Sequence, residues 1–111
     1  MRGINRIVIS GNVGNMIKFR DTSKGVPSCT FQLASDRHAR GDILTTWVKI
    51  NVYGRELVRS CRNRLSKGVY VIVEGELMNR DRADQKELVE VRAREVIFTY
   101  SSGRGGKPSD V

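Results

Sequence analysis

The sequence predicts an all-β fold: five strands closing into a small barrel, with one short helix between the third and fourth strands. Apolar and polar residues alternate with period two along most of the chain, and the period turns helical once, between residues 55 and 68. Glycines inside the first strand pattern add a further sign, because they mark a bulge, a bend or a close backbone approach at a barrel corner.

The elements follow in order. "INRIVISGNVGN" sets Asn5, Ile7 and Ile9 against Arg6, Val8 and Ser10. Gly11 and Gly14 interrupt it, and "MIKFR" continues the strand past the bend. "DTSKGVP" is turn chemistry, with Pro27 restarting an extended chain. "SCTFQLASD" is the second strand, alternating Cys29, Phe31 and Leu33 against Thr30, Gln32 and Ala34, and "RHARGD" reads as a polar, basic loop. The third strand, "TTWVKINVYG", sends Val48, Ile50 and Val52 to one face and Trp47, Lys49, Asn51 and Tyr53 to the other.

In "GRELVRSCRNRLSKG", Leu57, Val58, Cys61 and Leu65 form one apolar stripe on a short helix closed by Gly68. "VYVIVEGEL" is the fourth strand, "MNRDRADQKE" a charged hairpin loop and "LVEVRAREVIFTY" the fifth strand. Residues 1–100 are therefore expected to form the domain. Residues 101–111, rich in Gly and Ser, are expected to be a disordered tail. This order is the plan of an OB-fold, a five-stranded Greek-key barrel whose face and loops bind oligonucleotides or oligosaccharides. A meander with an inserted helix would give the same order.

At 111 residues the chain is one domain able to bury a core of its own. Its net charge of +8 implies a polyanionic partner or good solubility. The excess gathers early: residues 1 to 40 hold Arg2, Arg6, Lys18, Arg20, Lys24, Arg37 and Arg40 against Asp21 and Asp36. Cys29 and Cys61 are isolated, with no CxxC and no His at ligand spacing, and read as buried apolar residues in a reducing compartment. No apolar run approaches membrane-spanning length and "MRGINRIVIS" has no signal-peptide core, so a soluble, non-exported chain without a membrane partner is expected.

Catalysis is not expected. His38 is the one histidine, without a paired carboxylate or nucleophile, and Glu74 and Glu76 flank Gly75 with no partner pattern around them. No P-loop, GxSxG, HExxH or cysteine-metal spacing occurs, so neither cofactor nor metal is expected. A binding surface is the remaining candidate. Single-stranded nucleic acid is held by cations along its phosphates and by flat rings on which bases stack, each worth about 1–3 kcal/mol. Trp47 and Tyr53 point the same way with Lys49 between them, roughly 20 Å apart along one strand. Arg20, the basic segment with Arg37, His38 and Arg40, and the hairpin arginines Arg80 and Arg82 complete the candidate surface. The competing reading packs Trp47 and Tyr53 beneath a loop or in an oligomer interface.

Longer motifs narrow the choice. "RGINRIVISGNVGN" pairs a basic residue and a hydrophobic run with G-x-x-G, followed by "FQLASDR" and by "WVKINVYGRELVRSCRNRLSKGVYVIVEGEL". On these segments, from Arg2 to Phe98, the chain resembles the bacterial and mitochondrial type of single-stranded DNA-binding protein. The resemblance implies an OB-fold that assembles as a homotetramer built from dimers. It also implies wrapping of single-stranded DNA without sequence preference, in replication, recombination and repair. Trp47 and Tyr53 match two of the family's stacking aromatics, and Lys49, Arg55, Lys67 and Arg80 match basic positions near its DNA path, as do Arg2 and Arg6.

There are departures. Ala39 and Arg82 stand where the family carries further aromatics, Val48 where it often has a histidine, and "NMIKFRD" stands before the first turn, where the family usually has D-P-E and ends in R-Y. The family's acidic, Phe-tipped tail, which recruits replication and repair proteins, has no counterpart in "GRGGKPSDV". This leaves two readings of such partners open: a shortened chain, or a plasmid, phage or organellar variant that does not recruit them that way. A cytoplasmic, nucleoid location is expected, or the mitochondrial matrix for a mature organellar chain. Two alternatives remain: an RNA-binding relative in organellar RNA processing, and a primosome-type protein-interaction module.

Overall fold

Five strands and one helix follow in the predicted order in the computed structural model, which describes residues 2–79 and 89–99. They are β1 (Ile7–Asp21), β2 (Pro27–Ala39), β3 (Asp42–Tyr53), α1 (Arg55–Arg64), β4 (Tyr70–Asn79) and β5 (Val89–Phe98). The strands close into a barrel in the order β1-β2-β3-β5-β4. Every junction is antiparallel except β3–β5, the parallel pairing of Ile50 with Val91 and Asn51 with Arg92. This is the five-stranded Greek-key barrel expected of the OB plan. Arg80, Arg82 and the predicted tail lie outside the described residues.

β1 serves two neighbours. Its first half pairs with β4 from Ile7–Gly75 to Asn12–Tyr70, and its second half pairs with β2 down to Asp21–Pro27. The register slips between Val13 and Ile17, and the extra residues bend the strand from one side of the barrel to the other. Ahead of β1, the Asn5 side chain imitates a backbone unit. Its amide donates to the Leu77 carbonyl at 2.8 Å and its oxygen accepts from the Leu77 N–H at 2.9 Å, which prolongs the ladder. A second slip lies in the β4–β5 pairing, between Glu74 and Gly75. A Cβ on Gly75 would overlap the Arg92 carbonyl, so the strands come this close only because the residue has no side chain.

The inward positions are those the alternation names. Cys29, Phe31 and Leu33 of β2, Ile50 and Val52 of β3, and Val71 and Val73 of β4 are fully buried. Each large one contributes roughly 1.5–3 kcal/mol of transfer free energy. Val58 and Cys61 of α1 close one end of the barrel, with Leu57 and Leu65 packed beside them. In β5 the inward set runs Val91, Ala93, Val96, because the slip opposite Gly75 inserts a residue and reverses the parity.

Three local expectations are corrected. "RHARGD" is not a loop: β2 continues to Ala39 and pairs with β3 as far as Asp42. Arg40 (φ 52°) and Gly41 (φ 85°) form the whole turn, both left-handed as a two-residue hairpin requires. The arm projects beyond the core, so no apolar side betrays it in the sequence. Helix α1 ends at Arg64, earlier than Gly68, with Leu65 already extended. Gly68 (φ 90°) instead shapes the turn into β4, where its N–H donates to the Val13 carbonyl at 2.8 Å. β4 also runs on through Met78 and Asn79, which the sequence reading gave to the hairpin loop.

Candidate nucleic-acid interface

Parity and register assemble one surface from β1, β2, β3 and β5. The outward residues of β3 stand in register with those of β2: Trp47 with Ala34, Lys49 with Gln32, Asn51 with Thr30 and Tyr53 with Ser28. β1 extends the rows, with Lys18 beside Thr30 and Arg20 beside Ser28. β5 extends them on the other side, with Arg92 beside Asn51. Over β1, β2 and β3 lies a groove of about 560 Å³, lined by residues that include Met16, Lys18, Arg20, Gln32, Lys49 and Tyr53.

The two rings differ in setting. Trp47 is 60% exposed, a large fraction for the chain's one indole. It is propped by the β1 bulge, since a Cβ on Gly14 would lie 3.2 Å from its Cζ3. Tyr53 is half-buried, and the Arg92 guanidinium lies 5.4 Å from its ring centroid, covering one face. Trp47 is therefore the more open platform. Neither ring packs beneath a described loop.

A polar chain ties the floor together. The Thr30 hydroxyl donates to the Asn51 side-chain oxygen at 3.3 Å, and the Asn51 amide donates to Glu90 Oε1 at 2.7 Å. Lys49 Nζ lies 3.6 Å from Glu90 Oε2. Asn51 and Glu90 are buried, so each needs these partners to offset lost hydration.

The remaining sequence candidates are scattered around this groove. Arg20 lines it, and Arg55 opens α1 two residues beyond Tyr53. Arg37, His38 and Arg40 lie on the β2–β3 arm, where successive residues face opposite ways. His38 lines a separate cleft of about 260 Å³ with Asp36 and Tyr70. Arg6 is paired with Glu74 at 2.7 Å on the β1–β4 side, and Arg2 is exposed ahead of β1. Lys67 is exposed in the turn after α1.

Sequence reasoning missed Lys18, Gln32, Glu90 and Arg92. Lys18 was within reach, because Met16, Lys18 and Arg20 alternate with Ile17 and Phe19 once the bulge is passed. Glu90 and Arg92 were not, since nothing local says that β5 lies beside β3.

Known proteins share the sequence pattern and the fold. A profile of the Single-strand binding protein family matches residues 4–100. Single-stranded DNA-binding protein 1 of Chlorobaculum tepidum is 31% identical over 113 residues, covering 97% of this chain and 69% of its own. Single-stranded DNA-binding protein 2 of the same organism is 32% identical over 120 residues, covering 99% and 80%. Among solved structures, the Plasmodium falciparum SSB complex with ssDNA has a TM-score of 0.77 at 25% identity, covering 90% of this chain and 98% of its own. The small single-stranded DNA-binding protein from Streptomyces coelicolor has a TM-score of 0.71 at 26% identity, covering 88% and 94%. With a barrel of the expected order, two outward rings on one strand and a family match over residues 4–100, the chain belongs to the single-strand binding protein family.

Proposed function

We propose that this protein binds single-stranded DNA without sequence preference and covers strands exposed in replication, recombination and repair. The observation that carries the reading is one outward surface, with Trp47 and Tyr53 on β3 and the cations Lys18 and Arg20 on β1, across the groove that Tyr53 lines. Bases stack on the rings whatever their identity, because every base offers a π-face, and the cations follow the phosphates. No array of base-edge donors and acceptors is needed for such binding.

Assembly is part of the proposal. On the outer side of the β1–β4–β5 sheet, Val8 is 60% and Ile97 42% exposed, an apolar surface that supports a homotetramer built from dimers. Light scattering at several concentrations tests this.

The function is tested by titrating Trp47 fluorescence with oligo-dT at two salt concentrations. Quenching is expected, with log K falling by about 0.7 per phosphate contact for each unit of log salt. Unchanged fluorescence at saturating oligo-dT and low salt would refute stacking on Trp47. Matched rU oligomers give the preference between DNA and RNA.

A further inference from the structure

Helix α1 carries a charge pattern that capping the barrel does not explain. Its inner arc, with Val58 and Cys61 buried, is all that closure requires. Its other residues include Arg55, Arg59, Arg62 and Arg64, against the single acid Glu56. Arg55, Arg59 and Arg62 are spaced i, i+4, i+7, so they form one ridge about 10 Å long. Four arginines on ten residues cost mutual repulsion unless an anion relieves it.

The ridge is shaped as well as charged. Arg55, Arg59 and Arg62 line a cleft of about 280 Å³ with Asp21, Pro27 and Val58. Asp21 makes no ion pair with any of the three, and among the described residues no carboxylate lies within 4 Å of their guanidiniums. Arg62 lies over the Phe19 ring at 4.3 Å, and Arg64 lies over the Phe98 ring at 4.8 Å on the other flank. A guanidinium stacked on a ring has lost much of its freedom, while its N–H edges still point outward for a bidentate anion.

The ridge also continues the groove. Arg20 and Tyr53 line the groove, while the cleft is lined by Asp21, next to Arg20, and by Arg55, two residues past Tyr53. We infer that the Arg55–Arg59–Arg62 ridge is a second phosphate-binding surface, taking the sugar-phosphate backbone of the bound strand as it leaves the groove past Tyr53. This rests on the proposed function. It adds that the strand's path turns over the helix, where charge alone holds it, since no aromatic ring lines the cleft.

Oligo-dT of about 5 and about 16 nucleotides, the two ends of the site-size range of such folds, separates groove from ridge. In the Arg59→Gln/Arg62→Gln variant, the short oligomer should bind and quench Trp47 as in the wild type. For the long oligomer, the salt slope should fall by about 1.4, two contacts at about 0.7 each. Arg59→Gln alone, which disturbs no ring contact, should lower it by about 0.7 and keeps the test open should the double variant fail to fold. An unchanged slope with the long oligomer overturns the inference while leaving the groove intact. Wild-type protein that binds neither oligomer would instead overturn the proposed function.

Discussion

The ammonium of Lys49 and the carboxylate of Glu90, 3.6 Å apart, put an ion pair on the floor of the surface proposed to receive phosphates. Lys49 stands between the two rings and would pass for the first phosphate contact. Its charge is already answered by a carboxylate whose side chain is 10% exposed and which also accepts from Asn51. Lys18, across the groove, has no such partner among the described residues. Lys18→Ala should therefore lower the salt slope of oligo-dT binding by about 0.7, and Lys49→Ala by clearly less. Equal losses, measured over a series of salt concentrations, would show that phosphate displaces Glu90.

The rings should also prove unequal. Arg92 covers one face of Tyr53, whereas the Trp47 indole is largely exposed. Within the range of about 1–3 kcal/mol per stacked base, Trp47→Ala should fall near the top and Tyr53→Ala near the bottom. Dissociation constants by anisotropy, with labelled oligo-dT and both variants, decide the ranking.

Gly14 controls where the indole rests. A Cβ there already approaches Trp47 Cζ3 to 3.2 Å, so the branched side chain of Gly14→Val must push the ring off the bulge. The expected cost is about 1 kcal/mol in binding, several-fold in Kd, with a changed Trp emission maximum before any DNA is added. An unchanged spectrum together with unchanged affinity would mean that the ring is not propped by β1.

The paired thiols predict an alkaline weakness. Contact with the Cys61 thiol, together with burial, raises the Cys29 thiol well above its usual value of about 9. Below that pH both folded and unfolded chains carry the proton, and the stabilisation is complete. Above it Cys29 ionises in the unfolded chain but not in the native one, so this thiol's contribution falls by up to about 1.4 kcal/mol per pH unit. Cys61, lowered by the same contact, acts in the opposite sense below that pH. Denaturant midpoints from pH 8 upward should show this slope, and Cys29→Ala should flatten it. Both thiols are inaccessible in the fold, so thiol reagents should label them only on unfolding.

How much of this was legible depends on whether the signal was local. Strand parity placed Ile50 and Val52 inside and Trp47 and Lys49 outside, because one strand's two faces are fixed by its own sequence. It failed along the β2–β3 arm, where both faces of the ribbon meet solvent and the alternation has nothing to report. It failed again in β5, where a bulge moves the inward set from Ala93 to Val96. The cations Lys18 and Arg20 were present in the count of charges, but their meeting with Tyr53 depends on a register that follows the slip after Val13. Glu90 lay beyond reach altogether, because its neighbours Asn51 and Lys49 come from another strand.

The parallel seam between β3 and β5 has a mechanical meaning. Among the described residues the barrel is shut there by Ile50–Val91 and Asn51–Arg92, while β2 and β3 are laddered along their whole length. A zip held at so few teeth opens first, and amides beside it should exchange with solvent sooner than those of β2. The groove's polar chain crosses this same seam from Thr30 to Glu90. A strand of DNA laid over it would act as a clamp, raising the melting temperature as ligand is added and slowing exchange at Asn51 and Arg92 most of all.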